Sequence, residues 1–300
     1  MDRLSAMRTF VEIVERGSLS AAADALERSQ PTIVRTLAAL EQHLDVTLLR
    51  RTTRRMSLTP EGHDYLERCR RILADVDEAE RVVRQDTSEP RGALRMTGPV
   101  EFGRMHLAPA LAGFLWRYDQ ISVDLLLLDR NVDLVDEGID LALRIGELAD
   151  SSLVAIRIGA VRLVTVASPA LLEQTGTPQH PNELSRLPCV RVQNIPRAAS
   201  SWQFADGQKS LRVPVEGSFS VNQIAAAASA CVNGIGFGQF LSYQVDELVN
   251  QGRLRKVLDD FEMQPWPVSL VYPGGRPATS RLRALIDWLK TTLPQRAALT

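Results

Sequence analysis

Three apolar stripes of helical period follow one another within the first 44 residues, and their ends are marked. Met7, Phe10, Val11 and Val14 stand at i, i+3, i+4 and i+7, the spacing that lines one face of a helix. Gly17 follows as a C-cap, since glycine takes the left-handed conformation at little cost. Ser18 then opens a second helix, with Leu19, Ala22, Ala23 and Leu26 on its inner side. The small residues of "AAADA" let another helix approach closely. Ser29 opens a third helix. Pro31 is tolerated in its first turn, where amide donors have no partner inside the helix. Ile33, Leu37, Leu40 and Leu44 form its buried stripe. Two short helices joined by a tight turn, with a third behind them, make the helix-turn-helix plan.

That plan gives the third stripe's outer face a purpose. The second helix of such a pair lies in the major groove, with its N-terminal residues at base edges. Ser29, Gln30, Thr32 and Arg35 stand there. Glutamine pairs bidentately with adenine, arginine with guanine, and threonine touches the thymine methyl. The alternative is a solvated face on an ordinary three-helix bundle. The chain continues "DVTLLRRTTRRMSLTPEG". Val46 to Arg51 and Met56 to Thr59 read as two short strands around "TTRR". Such a hairpin is a wing. Arg50, Arg51, Arg54 and Arg55 place four guanidinium groups in six residues, where they can meet phosphates.

Thr59 and Pro60 supply an N-cap and a first-turn proline for a further helix. Along it Tyr65, Cys69, Ile72, Val76, Ala79 and Val83 step by four and three alternately, a heptad seam with charged flanks. It reads either as a long surface helix packed on its own domain or as a dimerisation helix. "SEPRG" at 88–92 marks a linker.

Residues 10–62, "FVEIVERGSLSAAADALERSQPTIVRTLAALEQHLDVTLLRRTTRRMSLTPEG", resemble the N-terminal region of LysR-type transcriptional regulators in the order of their pieces and the spacing of caps and leucines. The resemblance implies that Gln30, Pro31, Thr32 and Arg35 face DNA and that the four arginines form the wing. Asp45 stands where the family commonly has glycine; aspartate is among the residues that tolerate the left-handed region.

The remainder alternates strand and helix, which argues for an α/β domain. "ALRMTG" reads as a strand, and "FGRMHLAPALAGFLWRY" as a helix with Leu107, Leu111, Phe114 and Leu115 inward. "ISVDLLLLD" reads as a strand buried on both faces of a parallel sheet, "VDLVDEGID" as a short helix and "LALRIG" as a strand. "LVAIRIG", "VRLVTVAS", "CVRV", "GSFSV", "GIGFG" and "VSLVYP" are further strands. "PALLEQTG", "NQIAAAASACVNG" and "YQVDELVNQG" are helices, and a last helix spans about 280–293. Hydrophobic content of 45% and charged content of 24% are those of an ordinary globular chain. No run of about 18 apolar residues exists for a membrane span, and the charged N-terminus lacks a signal-peptide core, so a cytoplasmic protein is expected. Cys69, Cys189 and Cys231 are widely spaced, and the four histidines do not stand at ligand spacing; no metal and no cofactor is expected. Neither a Walker loop, a GxGxxG fingerprint nor a GxSxG elbow occurs, which speaks against a catalytic α/β enzyme. A solute-binding module is the other alternative.

"IDLALRIGELADSSLVA", "VASPALL", "TPQHPNEL" and "NGIGFG" resemble the LysR-type effector-binding domain, itself similar to periplasmic binding proteins. The resemblance implies two Rossmann-like subdomains joined by two crossing strands, with a small effector in the cleft between them. The organisation expected is a winged helix-turn-helix at 1–59, a linker helix at 60–88 and an effector domain at 91–300. Its subdomain I covers about 91–162 and 268–300, and subdomain II about 163–267. The loop Gly98, Pro99, Val100 to Phe102 matches the family's effector loop, in a less polar version. Arg144 is placed to pair with an acid group. Trp202, Asn222 as a helix N-cap, and Phe237 are candidates from subdomain II; ordinary core or capping work is the alternative for each. The expected partners are a double-stranded operator, a small-molecule effector, and further copies of the chain as dimer or tetramer.

Overall fold

The computed structural model describes residues 2–51, 56–83, 89–148, 152–192, 201–207, 209–275, 278–297 and 299. They form two compact units, Met1–Ala93 and Leu94–Thr300.

In the first unit α1 (Arg3–Arg16), α2 (Leu19–Ala25) and α3 (Gln30–Leu44) pack around Phe10, Ile13, Ala22, Ile33, Leu37 and Leu40, all essentially without solvent exposure. Gly17 ends α1 at φ 71°, and Ser18 caps α2 by accepting the Ala21 amide at 3.1 Å. Ser29 differs from expectation: it sits at the N-cap of α3, but its hydroxyl pairs with the Thr32 hydroxyl at 2.8 Å instead of capping an amide. Asp45 ends α3 at φ 55°, the left-handed state expected of it. The wing strands are shorter than the sequence suggests, β1 (Leu49–Arg51) and β2 (Met56–Leu58), paired antiparallel with Arg50 opposite Ser57.

α4 (Pro60–Val83) begins where expected, the Thr59 hydroxyl accepting the Gly62 amide at 2.9 Å. Its heptad seam divides. Cys69 is fully buried and Tyr65 half-buried in the unit's core, together with Leu66, which the seam does not contain. Beyond them Ile72 is 41% exposed, and Ala79 is exposed as well. The first turns of α4 therefore serve its own domain, while of the described seam residues that follow Val76 is half-buried and Ile72 and Ala79 are exposed.

The second unit carries two sheet systems. The first sheet has the order β4-β3-β5-β14-β6, made of β3 (Gly92–Gly98), β4 (Ile121–Leu127), β5 (Leu141–Ile145), β6 (Leu153–Val161) and β14 (Trp266–Pro273). β3 and β5 run parallel, while β14 lies antiparallel between β5 and β6. Against it pack the closing helix α10 (Ser280–Arg296), whose Leu282, Leu285, Ile286, Leu289 and Leu293 are all buried as their spacing predicts, and the helix at 100–117. That helix is interrupted: α5 (Val100–Phe102) and α6 (Ala108–Arg117) flank a π-helical turn, Gly103–Leu107.

The chain passes from the first sheet to the second between Val161 and Leu163 and returns by Trp266. The second sheet is β12-β7-β13, from β7 (Leu163–Ala167), β12 (Gly238–Leu241) and β13 (Arg255–Val257). Helices α7 (Pro169–Thr175), α8 (Ile224–Val232) and α9 (Ser242–Asn250) belong to this part, as does a parallel pair of β8 (Val190–Val192) with β11 (Phe219–Val221).

Several expectations are corrected. "ISVDLLLLD" is not a doubly buried strand: Ile121 is buried but Ser122 and Asp124 are exposed, and among the described residues β4 stands at the edge of its sheet. Residues 132–140 form turns and no helix; the Asp133 carboxylate accepts the amides of Val135 and Asp136 at 2.9 and 3.1 Å, a local bond that competes with helix. The strand expected at "GIGFG" begins only at Gly238. The N-cap of α8 is Gln223, without a side-chain cap, so Asn222 is not the capping residue. A hairpin of β9 (Ser201–Asp206) and β10 (Lys209–Pro214) went unread in the sequence.

Candidate nucleic-acid interface and effector cavity

The outer face of α3 follows from its inner one. With Ile33, Leu37 and Leu40 fully buried, the helical period turns Pro31 and Arg35 outward; both are exposed, and so are Ser29 and Gln30, which stand at the open start of the helix. Thr32 is half-buried; its amide donates to the Ser29 carbonyl at 2.9 Å, and its carbonyl accepts the Thr36 hydroxyl at 2.9 Å. The first two turns thus expose a glutamine and an arginine, with hydroxyls that satisfy one another at the helix start. Arg50 is exposed on β1. Arg51 pairs with Met56 across the hairpin. Arg54 and Arg55 lie outside the described residues.

One residue that the sequence reading passed over holds this surface in shape. The Glu41 carboxylate, on α3, accepts the amides of Leu48 and Leu49 at 2.8 and 3.1 Å. Charge-assisted bonds of this kind are stronger than neutral ones. They clamp the base of the wing to the helix that precedes it. No local pattern announces them, because the partners lie seven and eight residues away across the left-handed Asp45. At the other side of the wing base, the Thr59 hydroxyl donates to the Thr47 carbonyl at 2.7 Å. α4 is tied back to α1 by ion pairs at its surface, Arg8–Asp77 at 2.8 Å and Arg70–Glu15 at 3.1 Å.

In the second unit a cavity of about 620 Å³ opens on the first sheet, within the range of small-molecule sites. It lies where β3, β4 and β5 end, and Gly98, Pro99, Asp129, Arg144, Glu147 and Val271 are among the residues lining it. The structure therefore gathers Gly98, Pro99 and Arg144 of the expected effector residues. Val100 stands at its edge, its amide donating to the Asp129 carboxylate at 3.0 Å. The others lie elsewhere. Phe102 is fully buried, with its ring 5.1 Å from those of His106 and Tyr243. Trp202 and Phe237 share a core cluster with Phe204 and Val213. Asn222 precedes α8. Among the described residues the lining comes from the first sheet and its loops alone, with none from 163–267. Asp129 was not foreseen, since the apolar run before it read as a buried strand.

The three thiols are buried, and burial pushes Cys69 up to about 11 and both Cys189 and Cys231 up to about 12. They are packing residues at neutral pH. Among the described residues no helix is long and apolar enough to cross a membrane, and no cluster of metal-ligating side chains occurs.

Comparison with known proteins gives these two surfaces their setting. Residues 4–63 match the bacterial regulatory helix-turn-helix proteins of the lysR family, and residues 87–294 match the LysR substrate binding domain. The chain belongs to the LysR family of transcriptional regulators. It is 37% identical over 287 residues to an HTH-type transcriptional regulator of Xanthomonas campestris, covering 95% of this chain and 83% of that one. It is 34% identical over 290 residues to an HTH-type transcriptional repressor of Pseudomonas aeruginosa, covering 96% and 92% respectively. Among solved structures, that of CrgA, a LysR-type transcriptional regulator from Neisseria meningitidis, superposes with a TM-score of 0.62 at 32% identity, over 96% of this chain and 98% of that one. This LysR-type regulator thus has an N-terminal winged helix-turn-helix that binds DNA and a two-subdomain α/β domain that binds an effector.

Proposed function

We propose that this regulator acts in the cytoplasm as a dimer, or a pair of dimers, reading an inverted-repeat operator. Residues 1–59 are the reading head, 60–88 the dimerisation helix and 91–300 the sensor, with subdomain I at about 91–162 and 268–300 and subdomain II at about 163–267. Ser29, Gln30, Pro31, Thr32 and Arg35 meet base edges. Arg50, Arg51, Arg54 and Arg55 hold phosphates. The observation that carries this reading is the division of α3 into a fully buried apolar stripe and an exposed surface whose first two turns bear Gln30, Pro31 and Arg35. The exposed Ile72 supports pairing through the second half of α4.

For the effector, the cavity beside Gly98, Pro99 and Arg144 is the site, with Val100 at its edge. Phe102 packs in the core of the first sheet and Trp202 and Phe237 in a core of subdomain II, and Asn222 lies on the subdomain II side. Effector binding there biases the arrangement of the subdomains and, through the linker helix, the spacing of the two heads on DNA. The test is fluorescence anisotropy with duplexes from the region upstream of the regulator's own gene, with and without added metabolites, alongside the mass in solution. A monomer that binds none of this DNA would end the proposal.

A further inference from the structure

The charges around the cavity are unevenly spent. Arg130 gives both guanidinium ends to Glu137, at 2.9 and 3.2 Å, and so is neutralised in place. Arg144 donates at 2.7 Å only to a neutral carbonyl, that of Val132, and has no acidic partner among the described residues. Its positive charge is left for something in the cavity. Asp129 has one carboxylate oxygen on the Val100 amide, at the start of the helix at 100–117. That helix end is where an anionic ligand group is otherwise favoured, and here the protein's own carboxylate occupies it. A second anion would face the Asp129 charge. Glu147 adds another acid to the lining, while Leu128, Val132, Leu148, Leu153 and Val271 supply an apolar wall.

Asp129 and Arg144 are also held near each other. The Arg144 guanidinium sits on the Val132 carbonyl, three residues along the chain from Asp129, so their chain segments lie within about 11 Å. One small molecule can span them.

We propose that this cavity takes a small amphoteric molecule, whose cationic donor group meets Asp129, whose acidic group meets Arg144 and whose apolar body lies along Leu148, Leu153 and Val271. Asp129 is then the residue that sets ligand charge, by excluding simple carboxylates from the helix end. The inference rests on the reading of this cavity as the effector site.

Matched probes test it on the full-length protein. Leucine, methionine, phenylalanine and tryptophan are each compared with the carboxylate lacking the amine and the amine lacking the carboxylate, by thermal shift and then calorimetric titration. The expected result is that at least one amino acid stabilises the protein, and that its deaminated and decarboxylated analogues bind about tenfold or more weakly, as loss of one charged hydrogen bond predicts. Asp129→Asn keeps an oxygen for the Val100 amide; it should erase the preference over the plain carboxylate, with only a small drop in the unliganded melting temperature because Asp129 is exposed. Arg144→Gln should erase the preference over the amine. Stabilisation by the carboxylates equal to that by the amino acids, an unchanged preference in Asp129→Asn, or no stabilisation by any of the four amino acids would overturn the assignment. If an amino acid binds with the expected preferences but leaves DNA binding unaltered, the ligand class stands and the effector reading of the cavity falls.

Discussion

Replacing Glu41 by alanine should unfasten the wing from the recognition helix. In the structure its carboxylate accepts two amides, Leu48 at 2.8 Å and Leu49 at 3.1 Å, and both residues are buried, at 0% and 5% exposure. Removing the acceptor leaves two buried donors unmet, each costing about 1–3 kcal/mol. Glu41 itself is half-buried, so water recovers part of this, and a net loss of about 2–4 kcal/mol is expected. For a unit of this size each kcal/mol lowers the melting temperature by about 4–8 °C, so the first unit should melt about 10 °C or more earlier. The assay has an internal control. All four tryptophans, Trp116, Trp202, Trp266 and Trp288, lie in the second unit. Far-ultraviolet circular dichroism should register an earlier transition, while tryptophan fluorescence reports an unchanged one. Glu41→Gln retains an uncharged acceptor and should lose about half as much. A shift below about 3 °C in Glu41→Ala would refute the idea that the carboxylate clamps the wing.

Arg35→Ala should weaken operator binding by about 1–3 kcal/mol and relax the base preference at one position, measured by anisotropy against a set of single-base variants. Arg50→Ala should weaken binding to all duplexes alike and lower the slope of log K against log salt by about one; a changed base preference instead would reverse the roles assigned to helix and wing. Ile72→Asp puts a charge on the uncovered stripe of α4 and should shift the mass in solution toward the monomer, read by light scattering, with little change in the melting of the first unit. Gly62→Ala should cost about 1–3 kcal/mol, because a Cβ there would press on the Leu48 carbonyl oxygen and come within 3.1 Å of Leu58; chemical denaturation followed by circular dichroism checks it. Burial, and then the Arg296 charge, hold folded His106 below its ordinary value of 6.5. The unfolded chain therefore takes up the proton first, and this contribution to stability is complete above pH 6.5 and is lost as pH falls below it. Melting followed by tryptophan fluorescence should show a smaller loss between pH 7 and 5.5 in His106→Gln than in the parent.

Short-range features were legible in the amino-acid order. The three helices of the head, their stops at Gly17 and Asp45, the cap at Thr59 and the buried face of α10 were all legible, because helical period and capping chemistry act within a few residues. The identity of the family followed from the same short-range order. The features that this order left open depend on segments that meet from far apart. The apolar run 121–127 could not say that it would form a sheet edge, since an edge is defined by a missing neighbour. The heptad of α4 could not show that Cys69 would join the core of its own unit while Ile72 stayed uncovered. Phe102, Trp202 and Phe237 carry the same apolar character whether they line a cavity or fill a core, and packing alone assigned them to cores. The Glu41 clamp and the contact of Asp129 with the first amide of the helix at 100–117 likewise join residues whose spacing repeats nowhere. A carboxylate finds such donors only after the backbone has brought them within about 3 Å of it.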